Sequence, residues 1–170
     1  MSLLEKLRKK ASQKEELDQT YLGLRNQALK IKPSDLHLNL TSNDQVYAAI
    51  VDIPINDKFA TLCCVFDGTV SLYYSNGGSL LGLGQRYDTV SKSSGSLLIS
   101  AGQTIPFLQY ACDVSVVFDG KAHVFLLVRD GIFQETINMA HIETEEKHKK
   151  FLNFLIQNVI NSIRISQGNQ

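Results

Sequence analysis

No stretch of this chain approaches the ~18 uninterrupted apolar residues that a membrane-spanning helix requires, so no transmembrane segment is expected. Net charge is missing as well: Lys plus Arg and Asp plus Glu number 17 each. A dedicated nucleic-acid binder needs a positive excess to release phosphate counterions, and no nucleic-acid partner is expected from this balance. Cysteine is scarce. Three residues, an odd number, make no disulfide framework and fit a reducing compartment. The opening Met1-Ser2-Leu3-Leu4-Glu5-Lys6 lacks the apolar core of a signal peptide, which makes the cytoplasm the expected location. His37, His123, His141 and His148 nowhere show the spacing of about three or four that puts two ligands on one helical turn. No metal site and no cofactor are expected. Neither a Gly-x-Ser-x-Gly elbow nor a P-loop occurs, so no catalytic residue is assigned, and whether the chain is an enzyme stays open.

What is present is enough apolar residue, 44% of 170, for one buried core. Leu17, Tyr21, Leu24, Ala28 and Ile31 recur at steps of four and three, which predicts a helix ended by Pro33. Extended backward, that register meets Lys14 and Lys10. The chain therefore divides into a basic helical extension over 1–16 and a single domain over 17–170. Lys6, Arg8, Lys9, Lys10 and Lys14 admit weak peripheral contact with an acidic membrane; a solvated helix end is the plainer reading.

A polar connector over 39–45 precedes strands at 46–53 and 58–66. Asp67-Gly68 predicts a two-residue hairpin turn back into 69–75. With that turn, Thr61, Cys63 and Val65 share the more apolar face with Val70, Leu72 and Tyr74, and Cys63 and Cys64 point to opposite faces as buried hydrophobes. Leu80, Leu83, Tyr87, Val90, Ser94, Leu97 and Ala101 predict a middle helix with a break near Ser93-Ser94-Gly95. A strand within 107–118, an Asp119-Gly120 turn, a strand at 122–129, an Asp130-Gly131 turn and a strand at 132–138 follow. Val117-Phe118-Asp119-Gly120 echoes Val65-Phe66-Asp67-Gly68, which is read as shared turn chemistry. The last helix, capped by Thr144 and followed by Gly168, carries Phe151, Leu152, Leu155, Ile156, Val159 and Ile163 on one stripe. His123, alternating with Phe125 and Leu127, reads as a hydrogen-bonded sheet histidine. Asp52, Asp57, Asp67 and Asp88 read mostly as turn residues without partners.

The fold class expected is α+β, a single antiparallel sheet of five or six strands flanked by N-terminal, middle and C-terminal helices. This element order resembles the profilin-like folds, roadblock domains among them, over about residues 17–165. The resemblance implies a regulatory or scaffolding module that dimerises. The function expected is accordingly a non-catalytic interaction or regulatory module that self-associates as a homo-oligomer or takes a protein partner. The alternative is an anion- or nucleotide-binding protein or enzyme. Its site would be the Gly-rich turn over 77–87, where Gly77, Gly78, Gly82 and Gly84 follow a strand, open a helix, and stand beside Arg86. Close helix-on-sheet packing explains the same glycines.

Overall fold

Ala48 to Asp52 are all buried, whichever side of their strand they point to. A strand with no polar face needs cover on both sides. The computed structural model, which describes residues 1–8 and 17–168, supplies it. The strands are β1 (Ala48–Ile55), β2 (Lys58–Val65), β3 (Val70–Tyr74), β4 (Ser79–Leu80), β5 (Gln109–Tyr110), β6 (Ala122–Val128) and β7 (Gly131–Ile137). They form one antiparallel sheet in the order β4-β3-β2-β1-β6-β7-β5. A short helix α1 runs over 3–8, with Leu3, Leu4 and Leu7 exposed. Helix α2 (Gln19–Leu29) covers one face of the sheet. Helices α3 (Leu83–Arg86), α4 (Asp88–Ala101) and α5 (Lys147–Gly168) cover the other. The α+β class with one antiparallel sheet between helices is thus as expected. The strand count is not: there are seven rather than five or six, because β4, two residues long, is too short to leave a periodic signal. Beyond β5 the 107–118 segment is no strand, and Val114, Val116 and Phe118 pack as irregular chain beside α2.

The β2–β3 hairpin corrects the expected faces. Val65 N–H donates to Thr69 O at 2.9 Å, closing a three-residue loop, Phe66-Asp67-Gly68, with Gly68 at φ +92°. One residue more in the loop slips the register by one and turns every side chain over. Leu62 therefore faces Leu72 and Cys64 faces Val70, all beneath the α4 side, whereas Cys63 and Tyr73 lie beneath α2. The β6–β7 turn is displaced by one position along the chain but keeps two residues, so its register moves by two and the faces stay as they were. Val128 pairs with Gly131, so Arg129-Asp130 forms the loop.

Helix α4 runs unbroken through Ser93-Ser94-Gly95 and buries Val90, Ser94, Leu97, Leu98 and Ala101; the interruption falls at Tyr87, between α3 and α4. Helix α5 starts at Lys147 and includes Gly168. Thr144 instead ends a preceding 3-10 turn, where its hydroxyl donates to His141 O. Thr89 meets Ser166, and Phe107 stacks on His148, so α4 and α5 lie antiparallel. The break predicted at Lys10 and Lys14 falls outside the described residues.

Asp52 is neither in a turn nor unpartnered. It sits inside β1, fully buried, and takes Arg25 of α2 in a two-pronged pair: Nε to Oδ1 at 3.0 Å and Nη2 to Oδ2 at 2.7 Å. Thr61 Oγ1 donates to Asp52 Oδ1 at 2.8 Å. That donation uses the only hydroxyl proton of Thr61, so the Tyr21 hydroxyl, 2.7 Å away, donates to Thr61. Arg25 Nη2 also reaches Val114 O at 2.6 Å, and its guanidinium lies 5.5 Å from the Phe125 ring centre. Burial, with the Asp52 charge nearby, pushes the Tyr21 hydroxyl up to about 12.

Removing one member of such a pair strands a buried charge. Asp52→Ala is expected to cost about 3–5 kcal/mol in urea unfolding, and Arg25→Met combined with Asp52→Leu less than the sum of the two single changes. Equal additive losses would show that the pair is not coupled. Burial also pushes the Cys63 thiol up to about 11 and the Cys64 thiol up to about 12, while Cys112 is exposed. A thiol reagent should therefore label Cys112 quickly in the native protein, and Cys63 and Cys64 only on unfolding. Fast native labelling of Cys63 would contradict its burial beneath α2.

Candidate functional site

The Gly-rich turn is resolved into two separate packing jobs. Gly77, at φ +99°, sits in the turn between β3 and β4, and its N–H donates to Tyr74 O at 2.9 Å. Gly78 N–H donates to Asn76 Oδ1 at 3.1 Å. A Cβ on Gly77 would come within 2.8 Å of the Asp18 carboxyl carbon. Asp18 is the cap of α2: its carboxylate accepts from Thr20 N–H at 2.7 Å, and its own N–H donates to Ser75 O. The turn thus holds the start of α2, and the amides of Gly77 and Gly78 are spent on it. Gly82, at φ +68°, precedes the four residues of α3. A Cβ on Gly84 would stand 1.9 Å from Gly68 O, so this glycine lets α3 press against the β2–β3 loop. Arg86 is exposed, with its guanidinium 6.0 Å from the centre of the Tyr87 ring.

A polar cleft of about 540 Å³ opens at the β7 side of the sheet, between the start of α5 and the 107–123 segment. His123 Nε2 lies 2.9 Å from Asp119 Oδ1, as expected for a hydrogen-bonded sheet histidine, and Thr136 Oγ1 lies 3.4 Å from His123 Nδ1. His148 Nε2 lies 2.7 Å from Glu135 Oε2. Burial opposes the Lys149 charge, but a hydrogen bond to Glu145 and the charges of Glu135, Glu145 and Glu146 hold its amine above the usual lysine pKa. Each basic group here already faces a carboxylate, which leaves none in surplus for an anion. The hydroxyl contact to His123 is too long for an activated nucleophile in this state.

The second cleft, about 480 Å³, is different in kind. Its walls are Leu38 and Leu40 of the connector, Phe66 of the β2–β3 loop, and Leu98 and Ile99 of α4. Phe66 is 53% exposed and Ile99 75%. Several bonds hold the connector in place. Gln45 Oε1 accepts from the N–H groups of Thr41 and Ser42, Ser42 bonds Asp44, and Arg129 donates to Thr41 O. Gly102 makes room for Asp44: a Cβ there would lie 2.3 Å from Asp44 O. Tyr47 donates its hydroxyl to Ile31 O, and burial raises its pKa. Asp44 is the one residue of the lining that is charged at neutral pH.

The residues 39–45 therefore do more than connect. The alternation Leu36, Leu38, Leu40 within the polar segment was the available signal. Phe66 left none, because it reaches the cleft only through the three-residue loop. The Val-Phe-Asp-Gly echo is shared turn chemistry: Asp67 accepts from Thr69 N–H, and Asp119 from Lys121 N–H, each two residues on.

No protein-family model, curated protein or solved structure matches this chain.

If Gly84 served an anion site, Gly84→Val would weaken anion binding with less effect on the fold. The contact with Gly68 reverses that expectation. The substitution should lower the thermal midpoint by several degrees, as overpacking costs about 1–3 kcal/mol, with or without phosphate present. An unchanged midpoint would show that α3 can move away freely.

Proposed function

We propose that this chain is a non-catalytic interaction module whose apolar cleft receives a segment of a partner polypeptide. The observation that carries the reading is the composition of the cleft wall: Leu38, Leu40, Phe66, Leu98 and Ile99 around one acidic residue, Asp44. An exposed apolar surface with a polar rim is the usual form of a docking site. The lining offers no imidazole, thiol or amine to act on a substrate, and the Tyr47 hydroxyl is committed to Ile31 O. Side chains on a braced connector and a helix end form a pre-shaped wall, which limits the entropy lost on binding. The resemblance to profilin-like folds points to the same class of function.

Panning a random peptide library against the protein is expected to enrich peptides with apolar anchor residues. Phe66→Asp should weaken those peptides at least tenfold and leave the melting midpoint within a few degrees, since Phe66 is half exposed. A library that yields no peptide sensitive to Phe66→Asp overturns this reading.

A further inference from the structure

Helix α1 presents one apolar face to solvent. Leu3, Leu4 and Leu7 fall within about 100° of its circumference, with Lys6 and Arg8 beyond either edge. The three leucines are exposed at 74%, 70% and 55%. Ser2 and Glu5 cap the helix start reciprocally: Ser2 N–H donates to Glu5 Oε2 at 2.7 Å, and Glu5 N–H to Ser2 Oγ at 3.2 Å. Lys6 and Arg8 have no carboxylate partner among the described residues, and Lys9 and Lys10 follow them in sequence. A helix this short does not hold in water unless a surface covers its apolar side.

The apolar cleft is the complement of that face. Its wall of Leu38, Leu40, Phe66, Leu98 and Ile99 carries Asp44, and Asp67 follows Phe66 in the same loop. Both aspartates are exposed, and neither is paired with a basic side chain among the described residues. The other exposed apolar surfaces lack this match. On the outer side of α5, Phe154 and Ile165 are accompanied by Arg164, which would repel a basic helix. Beside Phe107, Glu135 and Glu146 are already paired with His148 and Lys149. We infer that α1 occupies the cleft, with its leucines against Phe66 and Ile99 and its basic residues toward Asp44. The inference rests on the reading of the cleft as a docking site for a polypeptide segment, and it names one such segment. The chain is long enough for this. Leu17 shares a surface pocket with Phe59, and Phe66 lies seven residues further on, just past the end of β2, about 23 Å away. The nine Cα-to-Cα steps from Arg8 to Leu17 span up to about 30 Å. A tethered segment meets its own site at high effective concentration, so even a small contact is populated.

The chain has no tryptophan, so Leu4→Trp in the full chain gives a fluorescent reporter on α1 alone. Acrylamide should quench this indole at least threefold less in the single variant than after Phe66→Asp is added, with the circular-dichroism melt unchanged. Adding Asp44→Lys instead should raise quenching in the same direction. Tenfold dilution should leave the value as it was, because the cleft that is filled belongs to the same molecule. An indole quenched equally with and without Phe66→Asp, or indifferent to Asp44→Lys, overturns the inference. So does protection that is lost on dilution, which would place α1 on a second copy. Protection that appears only with phosphatidylserine vesicles overturns it too, in favour of an acidic membrane. These results are separable from peptide panning. A freely quenched indole in a protein that still binds Phe66-dependent peptides removes α1 from the cleft and leaves the cleft reading intact. A protected indole in a protein for which panning yields no such peptide does the reverse.

Discussion

A carboxylate placed in the middle of a fully buried strand must be answered, and the answer determines how this chain is assembled. Asp52 is held by Arg25 and Thr61, and Thr61 is held in turn by Tyr21. Because the two ends of this network lie on α2 and on β1 and β2, the helix has one angular setting on the sheet. Val114 O, bonded to the same guanidinium, adds the irregular 111–118 segment to that layer. Apolar contacts alone would tolerate a rotated or shifted helix; a two-pronged ion pair cut off from water does not. The network is therefore a device for uniqueness, with the helix cap at Asp18 and the Gly77 turn fixing the same helix at its start.

The other side of the sheet is organised by close approach. Gly84 against Gly68 O and Gly102 against Asp44 O are places where backbone meets backbone with no room for a side chain. The first seats α3 on the β2–β3 loop, and the second seats the connector on the end of α4. Both contacts border the apolar cleft: Phe66 projects from the loop that Gly84 presses, and Ile99 lies three residues before Gly102. A functional surface assembled from a loop, a connector and a helix end is rigid only because such contacts hold its parts together. Of the glycines in the 77–87 turn, Gly84 has this packing role.

Much of the fold was legible because it follows from period. The helical steps of Tyr21 and Ala28, of Val90, Leu97 and Ala101, and of Leu152 to Ile163 each marked a buried stripe, and the near-continuous apolar runs of β1, β2 and β6 marked strands of a covered sheet. The partners of Arg25 and Asp52 were not legible: they are 27 residues apart, and neither residue type advertises its mate. Of the candidate site, Gly77 and Gly84 were singled out for an anion, with close packing as the other explanation, and both are places of close approach; the cleft residues Leu38, Phe66 and Ile99 were not singled out.

By itself the sequence determined the α+β class, the one-sheet architecture and the helices that flank it, because local periodicity dictates which face of each element must be hidden. The tertiary structure alone decided which way the β2–β3 side chains face, because a single added loop residue inverts a strand. It alone decided that Asp52 is an anchor and that Leu38, Phe66 and Ile99 line one cleft. Those are relations between residues distant in the chain, and they exist only once separate elements are packed against one another.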